Sequence, residues 1–129
     1  MSAVQHAGGI EWRLDGAVGC IVLDRAEQGN AFGREATFAL VRAIDQIVDS
    51  APRVIAIGAR GPTFCAGEDI REFAAAGDAL PHLISGVLEP LLGAYVRLAE
   101  ASCPVVSVVQ GPVGGAGIGL ALAADFVPA

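Results

Sequence analysis

Two segments of small residues can do chemistry through their backbones. Gly61–Ile70 reads Gly-Pro-Thr-Phe-Cys-Ala-Gly-Glu-Asp-Ile. Pro104–Asp125 reads Pro-Val-Val-Ser-Val-Val-Gln-Gly-Pro-Val-Gly-Gly-Ala-Gly-Ile-Gly-Leu-Ala-Leu-Ala-Ala-Asp. Each reads as an apolar strand, a loop of small residues and the start of a helix. An amide in the first turn of a helix has no intrahelical partner and sees the positive end of the helix dipole. Two such loops side by side can aim two amides at one oxygen, which stabilises negative charge developing on a carbonyl. The glycines of the second segment have two readings taken alone: close approach of backbone to a ligand, or tight packing of the next helix on the sheet.

Other glycine-loop chemistries fail on spacing. Gly115, Gly117 and Gly119 give G-x-G-x-G, and the third glycine of a dinucleotide fingerprint falls on Leu120. A phosphate-binding P-loop needs Gly-Lys-Ser/Thr, and the chain has no lysine.

Few side chains near these loops can move protons. Glu68 lies between Ala66-Gly67 and Asp69 in the first loop. A carboxylate there can act as an acid or base, or can be a surface group favoured by a helix N-terminus. Asp69 is placed to cap a short helix running through Phe73, and Asp125 to end a helix or hold nearby backbone. Cys65 has no histidine near it in sequence and reads as a buried structural thiol. His6 falls in a frayed terminus, and His82 follows Pro81 at the end of a mobile loop over Ala74–Pro81.

The elements that must position these groups alternate between strand and helix. Gly9–Leu14 and Ala17–Leu23 form a hairpin about Asp15-Gly16. Arg34–Asp49 has helical spacing, with Phe38, Val41, Ile44, Ile47 and Val48 on one face. Arg53–Ala59 is an apolar run suited to a buried parallel strand. Leu83–Glu100 is a second amphipathic helix, with Leu83, Val87, Leu91, Tyr95 and Leu98 inward. Val105–Val109 is another buried strand, and a helix starts near Ala116. This order predicts an α/β protein with a mainly parallel sheet and flanking helices, in a single domain over residues 1–129.

Composition narrows the partners. The chain has 129 residues, is 53% hydrophobic and carries a net charge of −6, with arginine as its only basic side chain besides histidine. Its mean hydropathy of +0.57 exceeds what one domain easily hides, so a partner subunit is expected. The lack of a basic patch argues against nucleic acid. Cys20, Cys65 and Cys103 form no metal or disulfide pattern, so no metal is expected and a reduced, cytoplasmic setting is. Glu100–Asp125 holds no charge between its ends, but Pro104, Pro112 and five glycines argue against a membrane-spanning helix. No signal peptide is evident at the start.

Taken together, Phe64-Cys65-Ala66-Gly67-Glu68-Asp69-Ile70 and Pro104–Asp125 resemble the enoyl-CoA hydratase/isomerase, or crotonase, superfamily. Leu23-Asp24-Arg25 and Asn30-Ala31-Phe32 are similar to its early loop, with Ala26 where proline is usual. The resemblance implies the N-terminal portion of a crotonase-like (ClpP/crotonase) fold, with the C-terminal part of that fold lying beyond Ala129. It implies that the Ala66 and Ala116 amides grip the thioester carbonyl of an acyl-CoA and stabilise its enolate. Gly67, Glu68, Asp69, Ile70 and Gly115 would line the substrate, and Arg25 would meet a CoA phosphate or remain a solvated surface arginine. Coenzyme A would enter as part of the substrate, with no separate cofactor. The implied reaction is hydration/dehydration or isomerisation of an enoyl-CoA, in a homotrimer or hexamer or with a second polypeptide completing the fold. Two departures favour a different class, a non-catalytic acyl-CoA-binding remnant or subunit. Gly119 stands where hydratases of the family carry a glutamate, and the family's second carboxylate lies beyond Ala129. Glu68 is the local candidate to replace them.

Overall fold

The computed structural model describes residues 3–128. Five strands form one sheet in chain order: β1 (Gln5–Ala7), β2 (Ile10–Asp15), β3 (Val18–Leu23), β4 (Val54–Ala59) and β5 (Val105–Ser107). The β2–β3 hairpin turns at Gly16, as Asp15-Gly16 predicts, and pairs Ile10 with Leu23 through Asp15 with Val18. β4 and β5 then add in parallel, Val18 beside Val54 and Ile55 beside Val105.

The sheet is mixed where a mainly parallel one was expected. The added antiparallel strand is β1, whose Gln5, His6 and Ala7 pair with Trp12, Glu11 and Ile10. His6 thus lies in a strand and not in a frayed end. Its Nε2 is 3.1 Å from Asp24 Oδ2.

Helix α1 spans Arg34–Asp49 as predicted. Its buried face is Ala36, Thr37, Ala39, Leu40, Ala43, Ile44 and Ile47, and Phe38 points outward, 57% exposed. Small residues on the inner face bring α1 close to the sheet, and the 3.6-residue period then turns position 38 away. Gly33 offers no side chain to cap α1. Glu72 does so instead, its Oε2 accepting from the Arg34 amide at 2.9 Å.

The expected loop over Ala74–Pro81 is helical. Helix α2 runs Ile70–Ala75, a 3₁₀ turn covers Gly77–Ala79, and α3 runs Leu80–Ala99. Pro81 and His82 open α3, because proline is tolerated in a helix's first turn, where no amide bond is lost. The stretch Gly77–Ala99 is long and apolar enough to cross a bilayer. Here Leu83, Val87, Leu91, Ala94, Tyr95 and Leu98 form its buried face. The uncharged stretch after Glu100 folds as β5, a loop and α4 (Ala116–Leu122).

The core lies between the sheet and the helices, around Ile21, Leu23, Ile55, Ile57, Leu40, Ile44, Leu91 and Leu98, all at most 1% exposed. Ile55 and Ile57 face this core. The other face of β4 is only half-buried, unlike the fully covered strand its apolar run suggests. Asp125 holds the start of β5, accepting from the Val105 amide at 2.8 Å.

Candidate functional site

Three loops meet beyond the ends of β3, β4 and β5. They follow Asp24, Arg60 and Val109, and they are tied by backbone bonds that leave little freedom. Phe64 N donates to Pro112 O at 3.1 Å, and Gly114 N donates to Cys65 O at 2.9 Å. Phe32 N donates to Gly67 O at 2.7 Å, and Asp69 N donates to Phe32 O at 2.9 Å. Gln110 Nε2 reaches back to Gly61 O at 2.8 Å.

Asn30 is the hub of this junction, and sequence reasoning missed its role. It is 3% exposed and has a left-handed backbone, φ +55°. Its Oδ1 accepts from the Arg25 amide at 2.7 Å. Its Nδ2 lies 3.1, 3.0 and 3.2 Å from the carbonyls of Arg60, Thr63 and Phe64. An asparagine after glycine in a polar loop is the one sequence signal, since asparagine tolerates this conformation.

Glycine is required where the loops touch. Gly67 has φ +97°, and a Cβ on it would lie 2.7 Å from Gly114 O. Gly115 has φ +48°, and the Glu68 carboxylate occupies the space a Cβ would take there. Glu68 therefore lies across the second loop.

The amides are distributed differently from the expectation. Ala66 N–H donates to Gly29 O at 2.9 Å. Its hydrogen is used inside the early loop, so Ala66 is not a free donor. The Glu68 and Ala116 amides donate to no acceptor among the described residues. They flank the contact between Gly67 and Gly115. Ala116 is the first residue of α4 and lacks an intrahelical acceptor for that reason.

Asp69 caps α2, its Oδ1 accepting from the Glu72 amide at 3.2 Å. Cys65 is fully buried, its Sγ 3.2 Å from Asn30 O. Burial pushes its thiol up to about 11, with the Glu68 charge adding to the rise and the Gly67 amide opposing it. That is the inert thiol the sequence suggests.

A groove of about 410 Å³ opens beside these loops, lined by Arg25, Gln28, Ala66, Glu68, Ile70 and Arg71 among others. Asp69 also reaches it, Gly67 is buried, and Gly115 and Ala116 lie outside its lining. Arg25 Nε donates to Gln28 Oε1 at 2.7 Å. A larger groove of about 540 Å³ lies between the ends of α1 and α3 and the start of β5, far from the loops. Its Arg97 is bound to Asp45 and Asp49. His6, Glu11 and Asp24 also cluster, and Arg60 already neutralises both carboxylates there, at 3.1 Å from each.

Gly119 follows Ala116 by one helical turn. A Cβ on Gly119 would lie 2.7 Å from Tyr95 Cε2 and 3.0 Å from Cδ2. The tyrosine ring fills the space that a side chain at this position would need.

A sheet whose last two parallel strands each end in a small-residue loop and a short helix is the N-terminal portion of the crotonase fold. A family model described as enoyl-CoA hydratase/isomerase matches residues 13–129, and the chain belongs to that family. A Rhodobacter capsulatus protein named "Probable enoyl-CoA hydratase" is 34% identical over 118 residues, covering 92% of this chain and 44% of its own length. The enoyl-CoA isomerase/hydratase of Mycosarcoma maydis is 30% identical, covering 82% and 41%. The crystal structure of an enoyl-CoA hydratase from Polaromonas sp. superposes with a TM-score of 0.80 at 29% identity, covering 92% of this chain and 46% of that one. The chain thus spans less than half the length of these relatives.

Proposed function

We propose that the chain binds an acyl-CoA thioester at the loop junction and stabilises negative charge on the thioester oxygen with the Glu68 and Ala116 amides. The observation that carries this is the contrast between amides: Ala66 N–H is bonded to Gly29 O, while those of Glu68 and Ala116 have no acceptor among the described residues. A thioester oxygen supplies the missing acceptor, and gains most when it becomes an enolate.

The 410 Å³ groove runs from this point past Arg25 and Arg71. These two guanidiniums suit the phosphates of coenzyme A, which arrives as part of the substrate, so no separate cofactor is invoked. Glu68 is the carboxylate placed to move a proton beside the thioester. The reaction class is hydration/dehydration or isomerisation of an enoyl-CoA, in a cytoplasmic homotrimer or hexamer or in an assembly with a second polypeptide.

A second reading, a non-catalytic acyl-CoA-binding subunit, is favoured by one observation. Gly119 has no side chain, and Tyr95 fills the space one would take.

Calorimetric titration with crotonyl-CoA and with free CoA tests the shared part of both readings. Tighter binding of the thioester is expected, and equal affinity overturns the amide pair. A hydration assay with crotonyl-CoA separates the two readings: turnover supports the enzyme, and binding without turnover supports the subunit.

A further inference from the structure

We propose that Tyr95 is a positioning residue for the Ala116 amide, acting through the opposite side of the first turn of α4; the proposal rests on the amide pair described above. Tyr95 sits on α3 and is 8% exposed. Its hydroxyl crosses to α4 and donates to Ala116 O at 2.8 Å. That carbonyl shares a peptide with the Gly117 N–H, which donates to Gly114 O at 2.9 Å. Gly114 N–H in turn donates to Cys65 O at 2.9 Å, in the first loop. The phenol therefore anchors the 116–117 peptide, whose N–H bonds the 114–115 peptide in series, and the adjoining Gly114 N–H ties that residue to the first loop.

The ring adds a steric stop. It packs where a Gly119 side chain would stand, so α4 cannot settle closer to α3. On its other side, α4 is held by Gly117, where a Cβ would lie 2.8 Å from Cys65 Cβ. Between these two contacts, the remaining freedom of the first turn is rotation and sliding along its own axis. The Tyr95–Ala116 hydrogen bond removes that freedom, and with it any spread in the direction of the Ala116 N–H. Burial raises the Tyr95 phenol well above its usual value, the Cys65 thiol would add to that rise only where it ionises, and the Glu68 charge adds to it, so the hydroxyl stays a donor.

The test compares two ligands on the purified protein: butyryl-CoA, and its thioether analogue butyl-CoA, which lacks the carbonyl. Tyr95→Phe keeps the ring and deletes the hydroxyl. We expect its preference for thioester over thioether to fall about fivefold, the effect of one neutral hydrogen bond, with thioether affinity unchanged. A folded Tyr95→Phe protein with the wild-type preference overturns the positioning role. A wild-type protein that binds both ligands equally overturns the amide-pair reading, and this proposal with it. Should Tyr95→Phe not fold, 3-fluorotyrosine retains both ring and hydroxyl, and Tyr95 is the single tyrosine of the chain. Its ¹⁹F resonance should shift on binding butyryl-CoA and not on binding butyl-CoA. An equal response to both ligands overturns the proposal.

Discussion

Ala66 gives its amide hydrogen to Gly29 O, 2.9 Å away. That bond closes the early loop onto the first small-residue loop. The chain then turns at Gly67, whose amide donates to Cys65 Sγ at 3.4 Å, and the amide after it, that of Glu68, has no acceptor among the described residues. In the amide pair we propose, the donor of this segment is therefore Glu68, two residues beyond Ala66, and its partner across the junction is the first amide of α4.

Ala116→Pro tests that partner. Proline suits the first position of a helix and puts a ring methylene where the N–H was. Turnover of an enoyl-CoA should fall about 10²–10³-fold, the usual cost of one oxyanion donor. Circular dichroism should show unchanged helix content. An undiminished kcat would sink the role of Ala116.

Glu68→Gln keeps the shape of the side chain over Gly115 and removes its ability to take a proton. Turnover should be lost while acyl-CoA affinity holds. If turnover persists at the wild-type rate, proton transfer belongs to another group.

How far these features were legible in the sequence varies by element. The α1 bounds, the β2–β3 hairpin and the Asp69 cap follow from local spacing and turn chemistry, and they appear as predicted. β1 escaped notice because Gln5-His6-Ala7 is short, polar and exposed, and only pairing with β2 makes it a strand. Ala74–Pro81 reads as a loop in the sequence, whereas Pro81 stands in the first turn of α3, where proline is tolerated. The identity of the free amide was not readable at all. It depends on Gly29, far upstream, reaching Ala66 after the sheet has formed. Tyr95 was legible as a core residue of α3, but its bond to Ala116 required the α3–α4 contact.

Asn30→Ala should destabilise the protein by about 2–3 kcal/mol, because it strands the Arg25 amide and the Arg60 and Phe64 carbonyls in or near the core, while Thr63 O keeps Gln110 Nε2. Urea denaturation measures this directly. A change within ~0.5 kcal/mol, the range of ordinary surface substitutions, would show that water replaces these bonds freely.

Cys65 should resist alkylation by iodoacetamide in the native protein at pH 8. With its thiol pushed up to about 11, only about one molecule in a thousand carries the thiolate. The sign for stability follows from the same shift. The folded state holds this proton more tightly than the unfolded chain, whose value is near 9.0. The contribution is complete below pH 9 and is lost as pH rises towards about 11. Thermal melts of Cys65→Ala should lose that part of the alkaline decline, and an identical decline in both proteins would refute the assignment.

The Asn30 hub also bears on the order of folding. Its partners lie up to 34 positions away in the chain, on the far side of α1 and β4. Contacts so distant in sequence require a large loop to close first. The hairpin and α1 rest on local contacts and can form early. The junction that presents the two amides can assemble only after β4 has docked. Acyl-CoA affinity should therefore be the last property gained on refolding, appearing after helical signal has recovered.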